Sequence, residues 1–215
     1  IGLIAAVAAT GKPMIMSTGM ATLSEIEEAV QTARDAGSHS LALLACTSSY
    51  PAPASAANLV KIRHLAETFG VVTGLSDHTI GPEVAIAATA LGASIIEKHF
   101  TLRRSDGGVD SAFSLEPEEF RSLVDSVRIA RAAQGELHYG PTEADHSSVA
   151  YRRSLYVARP VKAGAIISAG DFRSVRPGGG LHTRHLEELV GQVARYDLTF
   201  GTPATWDMTE PAPTA

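Results

Sequence analysis

The chain has 215 residues, 45% of them hydrophobic, 19% charged and 6% aromatic, a globular composition that excludes disordered and fibrous classes. Its formal net charge of -5 argues against coating nucleic acid. Cys46 is the single cysteine, so no intramolecular disulfide forms. Apolar stretches break well short of the roughly 20 residues a membrane span needs. With no signal-peptide pattern visible, a cytoplasmic location is expected. The sequence opens on Ile1 rather than Met, inside what reads as a structured segment, and an earlier start is expected.

In chain order, Met14 to Ser17 reads as a short strand leading into Thr18-Gly19-Met20. Ser24-Glu25-Ile26-Glu27 reads as a capping box opening a helix with Ile26, Val30 and Ala33 on one face, stopped at Gly37. Leu41 to Ala45 is a near-continuous apolar run of the kind parallel sheets bury on both faces. It ends in Cys46-Thr47-Ser48-Ser49-Tyr50-Pro51, before a helix from about Asn58 to Phe69. Val71 to Leu75 is a third strand, Pro82 to Leu91 a helix and Ser94 to Phe100 a fourth strand. A loop through Asp110 leads to a helix around Pro117 to Ala133. Four strand–helix units imply a parallel α/β architecture, and a (β/α)8 barrel needs roughly 250 residues, so four units make about half of one.

The texture changes after this. Residues 136–150 read as a polar linker. From Tyr151 short β-like runs follow, Ser154 to Ala158 and Ala165 to Ile167, with a turn at Lys162-Ala163-Gly164 and another over Ser168 to Phe172. Arg176-Pro177-Gly178-Gly179-Gly180 reads as a mobile loop and His185 to Val190 as a short helix. The organisation expected is therefore an α/β domain over 1–135, a linker and a small β-rich domain over 151–215. Between Tyr151 and His185 stand seven Arg or Lys against one acid, Asp171, a local basic face suited to an anionic small molecule.

Ligands of parallel α/β folds bind at the carboxyl ends of the strands. His78 and His99 sit there one unit apart and would lie side by side on adjacent strands. Two neutral imidazoles can hold a divalent metal with positions left open, or be two unrelated hydrogen-bonded residues. Glu97 shares a strand face with His99 and either orients a ligand or pairs with a lysine. Asp110, after two glycines, is a general base, a hydroxyl partner or a turn-forming Asp. Ser17, Thr18, Cys46 and Ser48 offer small donors that suit a phosphate, or are routine strand-end caps. Arg176 can fork onto a carboxylate or phosphate, or be solvated.

Several long segments in order carry a resemblance. Lys12-Pro13 through Ser17-Thr18-Gly19-Met20, Cys46 to Pro51, Gly74-Leu75-Ser76-Asp77-His78-Thr79 and Glu97-Lys98-His99-Phe100-Thr101 resemble the sialic acid (N-acetylneuraminate) synthase family. Arg152-Arg153-Ser154-Leu155-Tyr156 and Arg176-Pro177-Gly178 resemble its antifreeze-like (SAF) domain. Gly107 to Pro117 looks most like the pseudaminic acid synthase branch. The resemblance implies the C-terminal half of a TIM (β/α)8 barrel followed by a small SAF domain. It implies a carbon–carbon bond-forming transferase of carbohydrate biosynthesis. Such enzymes condense phosphoenolpyruvate with the open-chain aldehyde of an N-acetylated amino sugar, giving a nine-carbon 2-keto acid and phosphate. It further implies His78 and His99 on Mn²⁺ or Mg²⁺, and Ser17, Cys46 and Ser48 on phosphoenolpyruvate. Tyr50 and Asp110 would then contact the sugar, and Arg176 would reach the partner subunit of a homodimer with exchanged SAF domains. The family's early glutamate and lysines are absent from these residues, so the 215-residue chain alone is expected to be inactive or very weak. The alternatives are another metal-dependent TIM-barrel aldolase or hydrolase, and a carbohydrate- or ice-binding module built on residues 150–215.

Overall fold

The computed structural model describes residues 1–213, which fall into two compact units, Ile1–Glu136 and Leu137 onward. The first unit opens on helix α1 (Gly2–Ala8), which the sequence reading did not anticipate. Its small apolar residues, Ile4 and Ala8, pack on Met14, Ala33, Ala36 and Leu41.

Strands β1 (Met14–Ser17), β2 (Leu41–Cys46), β3 (Val72–Asp77) and β4 (Ile95–Lys98) then form one parallel sheet in the order β1-β2-β3-β4. Helices α2 (Leu23–Asp35), α3 (Val60–Phe69), α4 (Glu83–Ala90) and α5 (Pro117–Gln134) follow the four strands in turn. Strand alternation sends Leu43, Ala45, Leu75 and Ile96 toward the helices, where they meet Ile26, Val30, Ile62, Leu65 and Phe69. The opposite face is less covered, and Ile15 remains 57% exposed there. Within the described sheet β1 and β4 each pair on one side only.

Several boundaries differ from the sequence reading. The capping box lies two residues earlier: Thr22 accepts from Glu25 N, and the Glu25 carboxylate accepts from Thr22 N at 2.7 Å. Thr22 is extended, as an N-cap must be, whereas Ser24 is already helical. Strand β3 runs two residues further than expected, because Ser76 and Asp77 stay in register with Glu97 and Lys98.

The second unit holds α6 (His146–Val149), two small antiparallel sheets and α7 (Leu186–Leu189). β5 (Ser154–Val157) pairs with β6 (Phe172–Val175), and β7 (Val193–Ala194) with β8 (Thr209–Glu210). Leu155, Val157, Ile167, Phe172, Leu189, Leu198 and Met208 form its own core. β6 went unrecognised because only Phe172 of its four residues is fully buried, leaving little apolar alternation to read. The run Ala165–Ile167 is not a strand; it makes only an isolated bridge, Ile166 to Val193. The glycine-rich loop is hydrogen-bonded along its length: the Ser154 hydroxyl donates to Pro177 O and accepts from Gly180 N, and Gly178 N donates to Ala150 O. The basic face is also smaller than the count implied, since Arg159 pairs with Asp171 and Lys162 with Asp197, each at 2.6 Å.

Among the described residues no helix is long and apolar enough to cross a membrane.

Candidate active site at the carboxyl ends of the strands

The register sets the site. Cys46 lies opposite Ser76, Ser76 opposite Glu97 and Asp77 opposite Lys98. His78 and His99 are the residues immediately after β3 and β4, and their rings lie 5.2 Å apart, edge to face. Both main chains are held at these positions: Ala52 N donates to His78 O at 2.8 Å, and Leu115 N to His99 O at 2.9 Å.

The two imidazoles have different surroundings. His78 is buried, with Nδ1 2.9 Å from the carbonyl oxygen of Thr47. A carbonyl only accepts, so Nδ1 carries the proton and Nε2 keeps its lone pair in the neutral ring. His99 is partly exposed, and its Nδ1 stands 3.6 Å from Asp110 Oδ2, an ion-pair distance too long for a direct hydrogen bond. Asp110 starts the short helical turn Ser111–Phe113, and the Ser114 hydroxyl holds its carbonyl at 2.8 Å. Tyr50 stacks 4.3 Å from His78 and 5.9 Å from His99. Phe113 closes the other side, 5.1 Å from His99 and 6.1 Å from Tyr50. Sequence reasoning missed Phe113; its only signal was its position three residues after Asp110.

The structure thus brings His78, His99, Asp110 and Tyr50 together. Cys46 is buried beneath them, its Sγ 4.0 Å from His78 Nδ1. Ser48 is exposed at the end of β2, beside the turn after β1: Gly19 has φ +41°, and a Cβ there would stand 3.3 Å from Ser48 Oγ. Gly19 and Ser48 are thus neighbours, and Ser17 ends β1 two residues before Gly19, in register with Leu44. Thr18 is committed elsewhere, its amide and hydroxyl both donating to Leu44 O. Glu97 does not pair with a lysine: it accepts from the Ser76 hydroxyl at 2.7 Å, while Lys98 turns to Asp77. The physical reason is alternation, which places consecutive residues Glu97 and Lys98 on opposite faces of β4. Arg176 is exposed in the second unit, just past β6.

A divalent ion here would find two imidazoles and no more, because no group of three or more His, Cys, Asp or Glu converges among the described residues. The donor set nonetheless fits. The Thr47 carbonyl fixes the His78 tautomer with Nε2 available, as an outer-shell partner of a ligating imidazole does. Such an ion would complete its shell from water and substrate oxygens, as Mn²⁺ and Mg²⁺ do more readily than structural zinc.

Known proteins match most of this chain. Residues 1–139 match the NeuB family, and residues 152–210 the SAF domain. The chain is 38% identical to the pseudaminic acid synthase of Helicobacter pylori, over 96% of this chain and 61% of that protein. It is 38% identical to an N,N'-diacetyllegionaminic acid synthase of Campylobacter jejuni, over 87% of this chain and 57% of that protein. The crystal structure of an N-acetylneuraminic acid (sialic acid) synthetase from Leptospira borgpetersenii, solved with citrate, superimposes with a TM-score of 0.64 at 37% identity. That match covers 69% of this chain and 52% of the other. The chain spans about three fifths of the length of the curated relatives it matches.

Proposed function

Because the chain belongs to the NeuB family, we propose that it supplies one half of the active site of a nonulosonic acid synthase. The reaction joins phosphoenolpyruvate to the open-chain aldehyde of an N-acetylated amino sugar, of the pseudaminic or N-acetylneuraminic type. The vinyl carbon of phosphoenolpyruvate bonds to the aldehyde carbon, water adds at the phosphate-bearing carbon, and phosphate leaves as the 2-keto group forms. The observation that carries this reading is the convergence of His78, His99, Asp110 and Tyr50 on adjacent strand ends.

His78, through Nε2, and His99 would hold Mn²⁺ or Mg²⁺. When bound, that ion polarises an aldehyde oxygen and orients water. The chain's own groups do the rest. Ser17, Ser48 and the exposed backbone beside Gly19 offer donors to the phosphate or carboxylate of phosphoenolpyruvate. Cys46, buried at the end of β2 beside His78, would line the floor next to them. Tyr50 supplies an aromatic wall and a hydroxyl to the sugar. Asp110 accepts a sugar hydroxyl or takes a proton, with His99 beside it to steady its charge.

On this reading residues 1–135 are the C-terminal half of a (β/α)8 barrel, 136–150 a linker and 151–215 the SAF domain. Support comes from the free sides of β1 and β4 and from the exposed inner face at Ile15. Arg176 would serve the partner subunit of a homodimer.

The test is phosphate release by a chain containing this segment together with four preceding strand–helix units. Release should require phosphoenolpyruvate, the sugar and a divalent ion together. His78→Ala should lower kcat at least about 10²-fold, the usual scale for losing a positioned polar group at the reacting atoms. The 215-residue chain alone should show no robust turnover. Aldol or hydrolytic activity independent of phosphoenolpyruvate would replace this reading with that of another metal-dependent barrel enzyme.

A further inference from the structure

We propose that the buried Asp77–Lys98 pair is a positioning clamp for His78 and His99, an inference that rests on reading those imidazoles as a divalent-cation site. Lys98 Nζ lies 2.7 Å from Asp77 Oδ2, and both side chains are 1% exposed. Lys98 also donates to Thr79 O at 2.7 Å. The other carboxylate oxygen, Asp77 Oδ1, accepts from Thr79 N at 2.9 Å and from the Thr79 hydroxyl at 2.8 Å. Four hydrogen bonds thus wrap the three residues centred on His78 and tie them to the residue preceding His99.

The placement separates this pair from ordinary core material. Asp77 and Lys98 are partners in the strand register, and each adjoins one imidazole in the chain. Alternation puts them on the face opposite the two rings, so they touch the strand ends and not the reacting space. Removing two charges from water costs several kcal/mol per ion, and an apolar pair of similar volume is often as stable or more so. Stability alone therefore does not explain an ion pair at this position. Geometry does: the clamp fixes the spacing of two strands where their ring-bearing residues must face one ion. The pair touches neither ring; it acts one step further out than the Thr47 carbonyl, through the backbone that carries the two imidazoles, and ring orientation in turn governs affinity.

The double variant Asp77→Asn/Lys98→Met tests this in the 215-residue chain. It removes both charges together and keeps an acceptor for Thr79. Three quantities are read: the melting transition, Mn²⁺ affinity from the electron paramagnetic resonance of free Mn²⁺, and the metal-free imidazole ¹⁵N–¹H spectrum of His78. The expected result is a cooperative transition near that of the parent, a Mn²⁺ dissociation constant raised about 10–100-fold, and loss of the discrete Nδ1–H signal of His78. An affinity and a His78 signal unchanged in the folded variant, whatever its melting temperature, mark a purely structural pair and overturn the proposal. A parent chain that binds no Mn²⁺ would sink the cation site instead, and the His78 signal then decides the clamp by itself. Should the double variant not fold, Thr79→Val removes one donor to Asp77. A several-fold loss of affinity or a broadened His78 signal is then expected, and no change in either overturns the clamp.

Discussion

At Gly74 a methyl group would overlap the carbonyl oxygen of Ile95 and stand 2.7 Å from a Leu44 methyl and 2.8 Å from Ile95 Cβ. The φ angle there is ordinary, so the requirement is for space and not for backbone freedom. Gly74→Ala should cost about 1–3 kcal/mol, the usual range for overpacking a tight interior. Urea denaturation measures it, and a loss under about 0.5 kcal/mol would mean that β3 and β4 part easily at this level. This same strand pair shows how far single residues could be read. An offset of 21 places His78 beside His99, and that much was legible. The same offset also pairs Ser76 with Glu97 and Asp77 with Lys98, which the sequence reading did not follow through. Phe113 was not legible, because its place beside His99 depends on how the loop after β4 folds back.

Arg104 ties that loop to α5. Arg104 forks onto Glu119 near the start of α5, donates to Ser114 O at 2.9 Å, and its amide donates to Glu116. Asp110 and Phe113 lie inside the segment so closed. The hydrogen bonds from Arg104, with a further one from Glu116 N, pull the Glu119 carboxyl from 4.5 down to about 2. A carboxyl whose folded pKa is depressed contributes stability above its unfolded value and loses it as pH falls toward the folded one. The contribution should therefore be complete above about pH 5 and fade between 4.5 and about 2. The Glu119 side chain is 43% exposed, so solvent screens the pair and the effect is modest. Melting temperatures of the parent and Glu119→Gln should differ by a constant amount near neutral pH and converge in that acid window. A difference unchanged down to pH 2 would remove Arg104 as the staple. At this scale the sequence was informative where periodicity was strong, as in α2, α3 and α5. It was poor where short elements rest on side-chain to backbone bonds, as at Thr22 and in β6.

Two separate cores make the molecule two folding problems. Leu155 to Met208 close the second unit on themselves, and among the described residues its sheet edges are no longer than the four residues of β5 and β6. The first unit buries one sheet face under helices but leaves β1 and β4 free on one side each, with Ile15 57%, Val72 52% and Leu102 70% exposed. Free parallel edges with apolar neighbours template further pairing. The first unit should therefore associate as concentration rises while the second stays monomeric, a difference that light scattering on residues 1–136 and 137–215 would display. Ile15→Lys adds a charge to the exposed inner face beside the β1 edge. It should shift the association of residues 1–136 to higher concentration without lowering the melting temperature, because Ile15 contributes little to the buried core. If residues 1–136 remain monomeric at every concentration tested, the sheet closes its own edges, and the case for a barrel completed by four further strands loses its physical basis.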